Sequence, residues 1–130
     1  MGTTLIPPFA TRARDRDQAM AALAEANRVR LRRASLIRWM QGQSPAESHQ
    51  KAAELILEPD PALHSMLVVK LLKRVWRVGS AEAERMLTCA DIAPPRTVGA
   101  LTPRQRAGLA ALLRLRADQI SRHARPKTVR

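Results

Sequence analysis

An all-α domain is the fold class this sequence predicts, and three observations predict it. From about Asp15 to Gln41 the chain is rich in Ala, Leu, Met, Arg and Gln, with no Gly or Pro inside, a composition that favours helix throughout. Two segments, Ser44-Pro45-Ala46-Glu47 and Thr102-Pro103-Arg104-Gln105, read as capping boxes. In each a hydroxyl caps the helix, proline takes the first position, and Glu or Gln reaches back from the third. No segment alternates apolar and polar residues with period two over the length of a strand.

Taken in order, residues 1–14 read as a flexible arm, with Pro7-Pro8 interrupting regular structure. Asp15 and Asp17 complement the dipole at the start of a long helix, 15–41, which Gly42 ends. Ser44 opens a second helix carrying Ala52, Ala53, Leu55, Ile56 and Leu57, and Pro59 stops it. Asp60-Pro61 restarts helical structure with Asp60 as the cap. Leu67 to Val75 is apolar except for Lys70, Lys73 and Arg74, which predicts another helix. Gly79-Ser80 reads as a turn followed by a cap, opening a helix from Ala81 to about Ala90. Pro94-Pro95 breaks it, and Thr102 opens a last helix through Leu109, Leu112 and Leu113 to Ile120. The organisation is therefore one helical domain over 15–122, with a long helix (15–41), a body (44–113) and a C-terminal extension (114–122). Residues 123–130 form a basic tail.

Charge narrows the function. The chain has 130 residues, 23 Lys and Arg against 11 Asp and Glu, and a net charge of +12. Nineteen of the cations are arginines. Such an excess points to a polyanionic partner. It is also segregated: residues 12–38 are net +5 and residues 92–130 net +8, while residues 39–69 are net −3. The four acids of residues 39–69, set against a single Lys, balance nearby arginines or turn one face away from a polyanion. Aromatic residues make up only 2% of the chain, which argues against a reader of single strands that stacks bases on rings. Cys89 has no cysteine partner, and with three scattered histidines it gives no metal-ligand spacing. No cofactor or metal is expected. Met1 to Thr11 lacks the basic and apolar regions of a secretory signal, and no run is long and apolar enough for a membrane helix. A soluble cytoplasmic protein is the expectation.

The segment from Leu71 to Leu113 carries the binding chemistry. It reads as helix, Arg77-Val78-Gly79 turn, helix, proline-rich turn, then capped helix with Arg104-Gln105-Arg106. Helix N-termini present unpaired N–H groups to anions, and glycine at Gly79 lets backbone approach a phosphate closely. The candidate contacts are Arg77, Val78, Gly79, Ser80, Arg96, Arg104, Gln105 and Arg106. Arg28 and Arg32, which share a face of the long helix, are added to them. Such contacts grip phosphates without reading bases.

These residues also carry a resemblance. Leu71-Leu72 through Val78-Gly79, Ala83, Met86-Leu87, Ile92-Ala93-Pro94, Arg96, Leu101 and Arg104-Gln105-Arg106 resemble the actinobacterial integration host factor family. The match covers roughly residues 50–113. It implies a long N-terminal helix packed on a helix-two-turns-helix body like that of a ribosomal small-subunit head protein. It implies sequence-tolerant duplex DNA binding by a nucleoid-associated protein of a bacterial cell or phage-infected host, with a recombinase as a further partner. A monomer is expected in the absence of DNA. Two departures stand out. Trp76 occupies the family's usual proline position, and Thr97, Val98, Gly99 and Ala100 replace a more basic, glycine-rich run. Arg114, Arg116, Arg122, Arg125, Lys127 and Arg130 in the C-terminal extension are expected to make up that lost charge.

No enzyme is expected. There is no phosphate-binding loop with its lysine, no carboxylate pair in an apolar setting and no nucleophile with a base beside it, so neither a small-molecule substrate nor a membrane is a partner. An RNA- or ribosome-associated role and a small protein-interaction module are the alternatives. Trp39 and Trp76 are expected as core or interface anchors, Cys89 as a small buried group, and Met66 and Met86 as core. His49, His64 and His123 are expected at the surface or in helix packing.

Overall fold

The computed structural model describes residues 8–124. They form five α-helices and no strand. These are α1 (Pro8–Gln41), α2 (Pro45–Leu57), α3 (Val68–Lys73), α4 (Ser80–Cys89) and α5 (Pro103–Ala124), with 3₁₀ turns at Pro61–Leu63 and Val98–Ala100. No helix among the described residues is long and apolar enough to cross a membrane.

The expected all-α class is what the chain adopts, and the caps work as their residue types require. Glu47 N–H donates to Ser44 Oγ at 3.1 Å, and the Glu47 carboxylate accepts from Gln43 N–H, one residue ahead of the cap, at 3.3 Å. The second box closes fully: Gln105 N–H donates to Thr102 Oγ1 at 3.1 Å, and Thr102 N–H donates to Gln105 Oε1 at 3.0 Å. Asp60 caps the first 3₁₀ turn through Ala62 N–H at 3.0 Å. Gly42 has φ +60°, and a Cβ there would press on the Glu47 side chain at 3.1 Å, so glycine suits the end of α1.

Several boundaries differ from the expectation: α3 stops at Lys73, before Val75, and α5 runs to Ala124, two residues into the expected tail. Helix α1 begins at Pro8, not Asp15. Proline fits a first helical turn because no intrahelical partner awaits its missing N–H, so Pro8 marks a helix start and residues 8–14 are not an arm. Residues 1–7 and 125–130, the rest of the expected arm and most of the expected tail, lie outside the described residues. At the start of α4 the cap is Gly79, and Ser80 is the first helical residue with no capping side chain.

The core sits between α2 and α5, which pack along one another, with the end of α1, α3 and α4 closing around them. Ala52, Ala53 and Ile56 face Leu109, Ala110, Leu113 and Ala117, all buried. Alanines on both helices let the backbones approach closely, while each fully buried leucine contributes roughly 1.5–3 kcal/mol. Met86 is buried and Met66 half-buried, as expected of core residues. Trp39 and Trp76 are instead 42% and 45% exposed. Neither is a core residue, because Met40 and Val75, their buried neighbours, take the inward positions. Cys89 is also exposed, on the outer side of α4, where Met86 and Leu87 face inward.

Buried polar groups tie the helices together. Ser48 Oγ accepts the Trp76 N–H at 3.1 Å, fixing the turn after α3 to the first turns of α2. Buried His49 bonds through Nδ1 to Pro45 O at 2.7 Å, and its Nε2 accepts from Arg116 Nε at 3.2 Å. Arg116 continues to Glu82 at 2.9 Å, so one chain of contacts joins α2, α5 and α4. Burial is the main cause that holds His49 below the usual histidine range, and the nearby Arg116 charge adds to it.

Candidate nucleic-acid interface

Lys70 and Lys73 on α3, Arg74 at its C-cap and Arg77 in the turn that follows are all exposed. Val68, Leu71, Leu72 and Val75 hold the opposite face in the core. The cations therefore continue past the end of α3 into the turn before α4, where Arg77 lies beyond the reach of helical spacing. Arg77 has φ 68°, the left-handed region that costs a side chain with Cβ about 1–2 kcal/mol. Val78 is buried and anchors the turn.

Gly79 follows with φ −92° and ψ −176°, extended backbone open to any residue and not the left-handed helix end that glycine often marks. A Cβ at Gly79 would meet nothing within 4 Å. Packing within the chain thus does not demand glycine here. Because no side chain caps α4, the N–H groups of its first turn lack intrahelical acceptors. Ser80 and Ala81 beside them are exposed. The one acid of this turn, Glu82, is engaged by Arg85 and Arg116, each at 2.9 Å. Cations and backbone donors converge at this end of α3. Next to it, Gln41, Gly42, Lys73, Arg74, Val75 and Trp76 line an open groove of about 590 Å³.

The second turn lies at the other end of α3, about 9 Å away along that helix. Val68 N–H donates to Arg96 O at 3.0 Å and Val98 N–H to Met66 O at 2.9 Å, hooking the turn to the start of α3. Arg96 is half-buried and spends one guanidinium donor on Ala100 O at 3.1 Å. Arg104 is exposed on the first turn of α5.

Two expected contacts are withdrawn here. Arg106 donates to Ile56 O at 2.8 Å, Leu101 O at 3.1 Å and Val98 O at 3.2 Å. Its guanidinium satisfies carbonyls at the end of α2 and in the second turn, and places a cation at the negative end of the α2 dipole. Gln105 is spent too: its oxygen closes the capping box, and its Nε2 donates to Asp91 O at 2.8 Å.

On α1, Arg28 pairs with Glu25, and Arg32 reaches Asp60 Oδ2 through Nη2 at 2.9 Å and Nε at 3.1 Å. Asp60 is held below the usual carboxylate range, first by the Ala62 N–H and then by Arg32. Both arginines are exposed but already balanced, and neither joins the cations of α3. One acid of residues 39–69 thus does neutralise a nearby arginine.

The C-terminal extension comes to the first turn, not the second. Arg77 shares a groove with Gln119, Ile120 and His123, about 24 Å along α5 from Arg104. The described part of the extension therefore adds to the Arg77 end instead of replacing charge beside Arg96. Arg114 and Arg122 are exposed, whereas Arg116 is committed to His49 and Glu82. Lys70, Lys73 and Arg74 are the members that site reasoning from the turns alone passed over, and their helical spacing was the signal that marks them. Comparison with family models, curated proteins and solved structures finds no match to this chain.

Proposed function

We propose that the protein binds duplex DNA through backbone phosphates and catalyses no reaction on it. Its role would be architectural, of the integration host factor type: a nucleoid-associated protein that supports DNA compaction or site-specific recombination. One observation carries the reading. Four exposed cations along α3 and the turn after it lead to an uncapped helix N-terminus, at a glycine with open space before it. Phosphate groups match both features, the first by charge and the second by backbone hydrogen bonding. The family resemblance rests on motif residues alone and adds the expectation of low sequence specificity.

Lys70, Lys73, Arg74, Arg77, Arg96 and Arg104 make the revised footprint. If each neutralises one phosphate, log K against log salt falls with a slope of about −5. Lys73→Ala with Arg74→Ala lowers that slope by about 2 and weakens all duplex sequences alike. Titration of labelled duplex across a salt series measures both. A slope near zero, or loss confined to one base pair, overturns the proposal. Competition by structured RNA stronger than that by duplex would move the function to an RNA-associated role.

A further inference from the structure

Trp76 is a large ring kept at the surface by neighbours that face inward. Val75 before it and Val78 after it are buried, and its backbone N–H donates to the Oγ of fully buried Ser48 at 3.1 Å. The tryptophan itself is 45% exposed. It lines the open groove of about 590 Å³ between the ends of α1 and α3, with Gln41, Gly42, Lys73, Arg74 and Val75. Trp39, the other exposed tryptophan, has the Lys51 ammonium 4.9 Å from its ring centroid. Among the described residues no cation lies over Trp76 in this way, although Lys73 and Arg74 share its groove.

The lining selects the occupant. It holds two cations and no acid. Glu47, on which a Cβ at Gly42 would press, is already paired with Lys51 at 2.9 Å. The groove therefore suits an anion with a flat apolar group beside it, and a nucleotide joins a phosphate to such a ring. An anionic bilayer is a poorer match, because it takes up a broad apolar face. Trp76 is the one exposed apolar side chain in this lining. Within uninterrupted duplex the faces of each base are covered by the stack, and an indole reaches them only at the cost of unstacking. An unpaired nucleotide at a bulge, gap or strand end already has an open face.

We propose that the groove takes one unpaired nucleotide of a DNA strand, with its base stacked on Trp76 and its phosphate held by Lys73 and Arg74. The protein then prefers duplex that carries such a nucleotide. This rests on the duplex reading above and adds to it a choice among duplexes. One ring serves one base, so a long single strand gains no comparable advantage. Base identity matters little, since every base has a face to stack.

Titration of the full chain at fixed salt against labelled probes tests the proposal. The probes are an uninterrupted duplex, the same duplex with a one-nucleotide bulge, that bulge with its base removed, and a single strand with as many phosphates. The bulged duplex binds about tenfold tighter than the uninterrupted one. The abasic bulge keeps the phosphates and the flexible joint, yet returns to the uninterrupted value. Trp76→Ala binds bulged and uninterrupted duplex alike, and Trp76→Phe keeps part of the difference. The abasic comparison needs no variant, so it decides the matter even where Trp76→Ala lowers the melting temperature. Equal binding of bulged and uninterrupted duplex, or an abasic bulge bound as tightly as one with its base, overturns the proposal and leaves the duplex reading standing. Tightest binding to the single strand also overturns it. Uninterrupted duplex that fails to bind at any salt overturns both. Sedimentation with anionic vesicles that depends on Trp76, without a base-dependent difference among the DNA probes, would give the groove to a membrane instead.

Discussion

The two turns flanking α3 look alike in sequence, and the structure uses them in opposite ways. Both lead into helix starts, and both carry arginines. At the second turn, Thr102 and Gln105 satisfy each other's backbone, Gln105 also holds Asp91, and Arg106 holds three carbonyls. At the first turn, Gly79 offers no capping group, and the cations around it face solvent. The second turn is thus a structural joint, and the first is left with unspent donors. Residue type alone does not separate these roles; tracing each donor to its acceptor does.

The sharpest test of this contrast is Arg106→Ala. Removing a charged donor from three carbonyls should cost about 2–3 kcal/mol of stability, read as a lower urea midpoint. Duplex affinity, measured well below the melting temperature, stays unchanged. Weaker binding without loss of stability would reverse the assignment of the two turns.

Acidification probes the contacts that steady the helix behind the first turn. His49 is buried, and its folded-state pKa lies below the ordinary histidine value of 6.5. The unfolded chain therefore takes up this proton first as pH falls, so His49 makes stability decline from about pH 6.5 downward and contributes no such loss above it. Melting temperatures between about pH 7.5 and 5 measure the decline, and His49→Gln should flatten it.

Arg77→Gly separates strain from binding. Glycine relieves the left-handed backbone and stabilises the fold by about 1 kcal/mol, while losing one phosphate contact makes the salt slope shallower by about 1. A variant that is both less stable and equally tight would show that Arg77 serves packing.

Gly79→Ser gives the smallest stability effect. Serine is a better cap than glycine by a few tenths of a kcal/mol, and the site has room for its Cβ. Its hydroxyl would then occupy the N–H groups assigned to phosphate, so duplex affinity falls as thermal stability edges up. Unchanged affinity would remove the start of α4 from the footprint.

The sequence made the fold legible wherever the signal was local. Ser44 and Thr102 announce their helices within four residues, and Gly42 and Pro59 end others; α4 instead ends at Cys89, with the chain turning at Asp91 (φ 58°) ahead of Pro94. Pro8 misled because proline both interrupts and opens helices, and only the residues after it decide between the two. The grouping of Lys70, Lys73 and Arg74 was written in the spacing, whereas Arg77 lies past the helix end in a left-handed turn that spacing does not place. The commitments of Arg106 to Ile56, Gln105 to Asp91 and Arg32 to Asp60 were not, since each joins residues distant in sequence and depends on how helices pack. The exposure of Trp39, Trp76 and Cys89 was hidden for the same reason. Periodicity places a residue on a face, but only the packed neighbours decide whether that face is covered.

The positions of the two tryptophans give the protein a built-in pair of optical reporters. Trp39 lies under the Lys51 ammonium, 4.9 Å from the ring centroid, on the side of α1 that meets α2. Trp76 sits among Lys73, Arg74 and Arg77, with its backbone pinned by Ser48. With no tyrosine in the chain, emission comes almost wholly from these two rings. A ligand arriving at the cationic end of α3 alters the light from Trp76, while Trp39 serves as an internal standard for the fold.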